Sequence, residues 1–221
     1  MSEIQYTLNR NNRSRNVRIR IADKGEVIVS APPRAPLWQI DRFVQEQQEW
    51  IMHNVAKVKA RTVHTNPQEL QLFGKTYTKK IEENGTKVGV VIRGDQAIIT
   101  PVSNTKASVE KAIATFLKTT AEKYIKPRTI QLGKKMQTSF GRVTLREQQT
   151  RWGSCSSEGN LNFNWRLVHH PPAVIDYVII HELAHRTHMD HSHAFWDLVA
   201  KYDPEYLKHR GWLKRQGMDL G

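Results

Sequence analysis

Between Val17 and Ile21 apolar and basic side chains alternate, with Val17, Ile19 and Ile21 set against Arg18 and Arg20. That two-residue period predicts a half-buried strand. Gly25 marks a turn, Val27-Ile28-Val29 a further strand, and Ala31-Pro32-Pro33 the end of this sheet segment. The period then changes. From Pro36, a residue type favoured at a first helical position, Leu37, Ile40, Val44, Ile51, Val55 and Val58 recur at helical steps with Phe43 and Trp50 beside them. This predicts one long amphipathic helix over 36–58. Residues 60–70 are polar and read as a linker. Turns at Leu72-Phe73-Gly74-Lys75 and at Asn84-Gly85, the second a hairpin signal, separate short strands that continue through Val88–Ile92 and Ala97–Ile99 to Pro101.

The second half is helix-rich. Val109, Ile113, Phe116, Leu117 and Tyr124 share one side of a helix expected over about 105–126, which Pro127 should end or bend. Arg151 to Leu167 reads as a hairpin, turning at Glu158-Gly159-Asn160 and then alternating Leu161, Phe163, Trp165 and Leu167. Pro171-Pro172 open a helix whose Val174, Ile175, Val178, Ile179 and Ile180 are apolar. Asp190 and Ser192 are plausible caps for another, carrying Phe195, Leu198, Val199 and Tyr202. The fold class is α+β: a β-rich N-terminal region (1–103) with one long helix, then a helical half (104–221) with a β-hairpin beside its central helix.

Composition narrows the setting. In 221 residues there is one cysteine, Cys155, which excludes an intrachain disulfide framework and fits a reducing compartment. No apolar run approaches the ~18 residues of a membrane span, and no secretory signal is visible behind the N-terminus, so a cytoplasmic setting without a membrane partner is expected. Lys+Arg 34 against Asp+Glu 21 gives a net charge of +13. The excess gathers in five arginines over Arg10–Arg20 and in ten cations against two glutamates over Lys106–Arg146, which makes nucleotides or nucleic acid possible partners.

Histidine placement adds the chemistry. Seven of the ten histidines fall between His169 and His193, and among them stands His181-Glu182-Leu183-Ala184-His185. Residues four apart share a helical face, so His181 and His185 can reach one metal ion while Glu182 projects beside it as a proton acceptor. Zinc with three protein ligands keeps a position open for water. His191, in the turn before the next helix, is the expected third ligand, with His193 as fallback and Glu205 as a distant acidic option. His188 lies about 10.5 Å along the helix axis from His181, poorly placed for the same ion. It also stands where long zinc-binding motifs of this kind carry a glycine. A donor for the charge developing on the attacked group is also needed. Arg151, Tyr177, His188 and His193 are candidates that the sequence does not rank. Arg151, Trp152 and Gly153 are the expected substrate-binding residues, Gly153 permitting close backbone approach. Cys155 reads as a small buried hydrophobe.

Arg151-Trp152-Gly153-Ser154-Cys155-Ser156, Leu161-Asn162-Phe163-Asn164-Trp165-Arg166-Leu167, the run from Pro171 through His185, and His191-Ser192 with Phe195-Trp196 together resemble the YgjP-like zinc metallopeptidases, distant relatives of the WLM and SprT proteases. These motifs cover about residues 146–200, and the N-terminal pattern is similar to the family as well. The resemblance implies a zincin-like domain with one zinc on His181, His185 and His191, Glu182 as base, and a peptide substrate. Two other functions are compatible with the composition: metal-dependent hydrolysis of a nucleotide phosphoanhydride, and association with nucleic acid. No GxxxxGK[ST] phosphate loop and no recognisable RNA-binding signature occur.

Overall fold

The computed structural model describes residues 4–22, 25–63, 66–82, 88–148 and 151–215. The chain forms two compact units, 1–67 and 68–221. The break falls inside the expected linker at 60–70, well before residue 103, the expected end of the β-rich region. Strands 69–100 therefore belong to the second unit, because their apolar residues pack with the long helix that follows.

In the first unit β1 (Thr7–Arg10), β2 (Arg18–Ile21) and β3 (Val27–Ala31) form a sheet of order β1-β3-β2. β3 runs parallel to β1 and antiparallel to β2. Val27, Val29 and Ala31 face the same core as Ile40, Val44 and Ile51. The expected single helix is two, α1 (Leu37–Glu46) and α2 (Gln48–Val63). Gln47 leaves helical geometry at φ −97°, ψ 12°, at the point where the apolar stripe is interrupted by Gln47 and Gln48. Val58 lies outside the residues whose side chains are described. Arg10 is committed within the fold: its guanidinium donates to the carbonyls of Pro32, Pro33 and Ala35 at 3.2, 2.7 and 2.9 Å, fixing the proline loop.

In the second unit β4 (Glu69–Leu72), β5 (Lys75–Ile81), β6 (Gly89–Arg93) and β7 (Gln96–Thr100) make a sheet of order β4-β5-β7-β6. The turn at Phe73-Gly74 is as expected, with φ of 51° and 75°, the two positive values a tight hairpin needs. Its amides donate to the carbonyls of Val168 and His169, joining this sheet to the segment that precedes the helix at 172–184. Asn84-Gly85 lies outside the described residues, and the strands flanking it are not neighbours. β7 inserts between them, pairing parallel with β5 and antiparallel with β6.

α3 (Lys106–Lys135) begins at Thr105, whose side chain accepts from the Ser108 amide, and continues past Pro127, which does not end it. Proline removes one hydrogen bond and costs about 3 kcal/mol in a helix interior. Burial of Ile125, Thr129 and Leu132 outweighs it, and Arg128 beyond the proline clamps Asp176 with two hydrogen bonds of 2.8 and 2.7 Å. β8 (Val143–Arg146), β9 (Gly153–Cys155) and β10 (Leu161–Asn164) form a sheet of order β8-β10-β9. The β9–β10 hairpin is the expected one, whereas β8, paired parallel with β10, is an addition. Leu161-Phe163 alternate as strand, but Trp165 and Leu167 do not continue it. Asn164 caps a 3-10 turn over Trp165–His169 by accepting from the Arg166 amide, which ends the strand.

α4 (Pro172–Ala184) follows, then α5 (His193–Tyr202) and α6 (Tyr206–Arg215). Every α4 residue from Tyr177 to Ala184 is buried. α4 packs against α3, α5, α6 and β9. The α+β class holds for both units. No helix among the described residues is long and apolar enough to cross a membrane.

His170 sits in this core at 8% exposure, its ring edge-on to Trp152 at 4.6 Å and its Nδ1 3.5 Å from the Trp212 indole nitrogen. Burial, and then the neighbouring His169, lowers its pKa from 6.5 to about 4. The unfolded chain therefore binds the extra proton between those values, and stability drains as pH falls from about 6.5 toward 4. The loss attributable to this ring is on the order of 3 kcal/mol. Urea unfolding across that window should show His170→Phe with a shallower decline than wild type; identical slopes would contradict the assignment.

Candidate metal centre

Apart from Asp176 and the His181-Glu182 pair, α4 carries apolar residues around its whole circumference, which is why most of it lies inside the unit rather than on it. It brings His181 and Glu182 to 1% exposure, and His185, just past its last turn, to 8%. Leu183 and Ala184 carbonyls accept from the amides of Arg186 and Thr187, so the chain winds through a tight turn before reversing toward His191. No residue from 185 to 192 has positive φ. The turn is thus made without a left-handed residue, and the histidine at 188 is no obstacle to it. The Asp190 carboxylate accepts from the Ser192 amide at 3.3 Å, and Ser192 precedes α5, whose buried Phe195 packs on the rings of His181, His185 and His191.

His181, His185 and His191 present ring nitrogens within 4.8 Å of one another, an arrangement that could hold a metal ion. The Nε2 atoms of His181 and His191 are 3.1 Å apart. Ligand nitrogens of a tetrahedral ion with bonds of about 2.0–2.1 Å lie about 3.3 Å apart, so the spacing suits such an ion. His185 Nδ1 hydrogen-bonds the His188 carbonyl at 3.1 Å, which orients the ring and leaves Nε2 free. Burial depresses His181 to about 2, reinforced by His185, His191 and the charge of Arg210. Burial likewise lowers His185 and His191. Neutral imidazole is the metal-binding form.

Glu182 follows His181 on α4, its Oε1 buried and without a hydrogen-bond partner in the structure. Burial raises its pKa from 4.5 to about 8, opposed by the charge of Arg151. Gly153 explains how the carboxylate fits. A Cβ at that position would stand 2.8 Å from Glu182 Cγ, so any side chain on this part of β9 would displace the glutamate. The close approach expected of Gly153 is therefore to Glu182.

The other sequence candidates scatter. Trp152 is 3% exposed and packs on His170, a core side chain. Arg151 is exposed and near enough to act electrostatically on Glu182. Tyr177 is fully buried one helical turn before His181, with its hydroxyl unpartnered and its pKa raised by burial. His193 is 94% exposed and bonds Asp197, while Glu205 pairs with Lys208, so neither joins the triad. His188 contributes through its backbone carbonyl. The Cys155 thiol is half-buried and pushed up by burial and then by Glu182, as a small apolar residue would be placed.

Two residues near the triad had no role assigned from the sequence: Trp196, noted only within the family motif, and Arg210, not noted at all. Trp196 stacks on His191 at 5.6 Å and 23°, and Arg210 lies over the Trp196 ring at 4.5 Å. The basic clusters, by contrast, are partly spent inside the fold, since Lys118 pairs with Glu147, Lys126 with Glu122 and Arg128 with Asp176.

Among solved structures the chain resembles the metallopeptidase zymogen abylysin of Pyrococcus abyssi, at 18% identity and a TM-score of 0.41 over 44% of this chain and 99% of that one. It also resembles the metallopeptidase zymogen jannalysin of Methanocaldococcus jannaschii, at 18% identity and 0.35 over 41% and 95%. No curated protein matches. The family described as YgjP-like, metallopeptidase domain, matches residues 15–216, nearly the whole chain and all of the site. The protein belongs to the YgjP-like metallopeptidase family.

Proposed function

We propose that the protein hydrolyses peptide bonds with one zinc ion held by His181, His185 and His191, and with Glu182 as general base. The observation that carries this reading is the convergence of three imidazoles, with a buried, unpartnered carboxylate oxygen on the residue that follows the first of them. Family membership points to the same chemistry. Zinc bound there would supply Lewis acidity, lowering the pKa of a water ligand toward ~7 and polarising the carbonyl.

The remaining work falls to the chain. Glu182 takes the proton of the attacking water as its oxygen bonds to the carbonyl carbon, and gives it to the amide nitrogen as the C–N bond breaks. Burial raises the Glu182 pKa and the charge of Arg151 opposes that rise, favouring the ionised form that accepts the proton. β9 is an edge strand of its sheet, with Gly153 against Glu182. An extended peptide adding to that edge would be held by main-chain hydrogen bonds beside the base.

Three substitutions test this division of labour. Glu182→Gln should keep zinc, measured by competition with a chromophoric chelator, and lose turnover of an internally quenched peptide by about 10³-fold or more. His185→Ala should lose zinc and activity together. Gly153→Ala should bind zinc within about threefold of wild type, be destabilised by about 1–3 kcal/mol in urea, and lose most turnover because Glu182 is displaced. Full activity in Glu182→Gln would remove the base assignment.

A further inference from the structure

Hydrolysis of an amide by a water and a carboxylate leaves one requirement unmet by the residues above. As the water oxygen bonds to carbon, the carbonyl oxygen gains a negative charge, which is released only when the C–N bond breaks. A donor must face that oxygen. The four candidates visible in the sequence do not fill the place. Tyr177 is enclosed beneath His181, His193 turns to Asp197, His188 serves through its carbonyl, and Arg151 bears on Glu182.

Arg210 has the properties required. It is exposed, and its guanidinium makes no hydrogen bond or ion pair with any described residue, so its donors are uncommitted. Its Cζ lies over the Trp196 ring, 4.5 Å from the centroid, and that ring is 5.6 Å from that of His191 and 5.7 Å from that of His181. Tyr206 stacks on the same indole at 5.4 Å and 21°. An aromatic platform of this kind fixes a planar guanidinium without consuming its N–H groups. The next residue back, His209, is 7% exposed and bonds Asp203 at 2.8 Å, locking α6 to the end of α5. The charge of Arg210 is felt by His181, His191 and Tyr177, whereas that of Arg151 is felt by Glu182. One cation thus attends the base and the other the imidazole side of the site.

We infer that Arg210, held on Trp196, is the residue that stabilises the negative charge developing on the substrate's carbonyl oxygen. The inference rests on the peptidase reading and adds to it the donor that reading lacks. Trp196 is the positioning residue, since it touches both the imidazole of His191 and the guanidinium.

The test compares zinc-loaded wild type with Arg210→Ala. For each, kcat and KM are measured on a quenched peptide. Zinc affinity is measured by chelator competition. Calorimetry gives the affinity of two peptides that differ at one position, a phosphinate bearing a tetrahedral anion or a neutral ketomethylene. Arg210→Ala should lose about 10²–10³-fold in kcat with KM within about threefold. It should lose affinity for the phosphinate by a similar factor, bind the ketomethylene as wild type does, and keep its zinc. Methylguanidinium in the buffer should restore part of the variant's turnover and leave wild type unchanged, and Arg210→Lys should fall between the two. Unchanged kcat, a loss confined to KM, or a parallel loss of zinc would each overturn the inference while leaving the peptidase reading intact. A wild type that neither cleaves peptide nor binds phosphinate would overturn both.

Discussion

Burying a largely apolar helix together with two imidazoles and a carboxylate is the constraint around which the second unit is arranged. α4 cannot face water, and every neighbour it acquires meets one of its needs. α3 holds it through Arg128 and Asp176, even at the cost of a proline inside α3. β9 lies against Glu182 and presents a glycine there. α5 covers the rings with Phe195, and α6 closes the far side with the His209–Asp203 pair. The energetic logic is uniform: ionisable groups in a dry core must be neutral, paired or bound to a cation. Burial drives His181 neutral, the form in which imidazole binds a metal, and raises the pKa of Glu182.

Much of this was legible because it depends on local spacing. The i,i+4 histidines, the proline start of α4, the Phe73-Gly74 turn and the β9–β10 hairpin each follow from a period or a turn chemistry contained within a dozen residues. What the pattern could not supply depends on partners distant along the chain. The extension of α3 past Pro127 is decided by α4, some fifty residues on. β7 inserts between β5 and β6, so those two consecutive strands are not paired with each other. The division of the chain near residue 67 coincides with the polar stretch 60–70, but the assignment of β4–β7 to the second unit reflects their packing with α3, a partner later in the chain.

The same distinction applies within the site. His181, Glu182, His185 and His191 lie within eleven residues of sequence, and their convergence needs only a helix and a turn. Arg210 lies two helices away and carries no motif. Its place is set by an aromatic stack, Tyr206 on Trp196 on His191, that appears only once α5 and α6 have folded back on α4. Gly153 was visible as a site of close approach, but the group approaching it, the Glu182 carboxylate, was not. Net charge proved the least specific signal, since several of the cations behind it hold loops and helices in place.

The central claim is that three imidazoles of this chain bind one zinc ion. Its most direct test is a crystal structure of the zinc-loaded protein with anomalous data collected on both sides of the zinc edge. The account predicts one strong anomalous peak, with a ring nitrogen of His181, of His185 and of His191 each at about 2.0–2.1 Å from it. An ion at full occupancy bound elsewhere, or held at this place without one of the three, would contradict it.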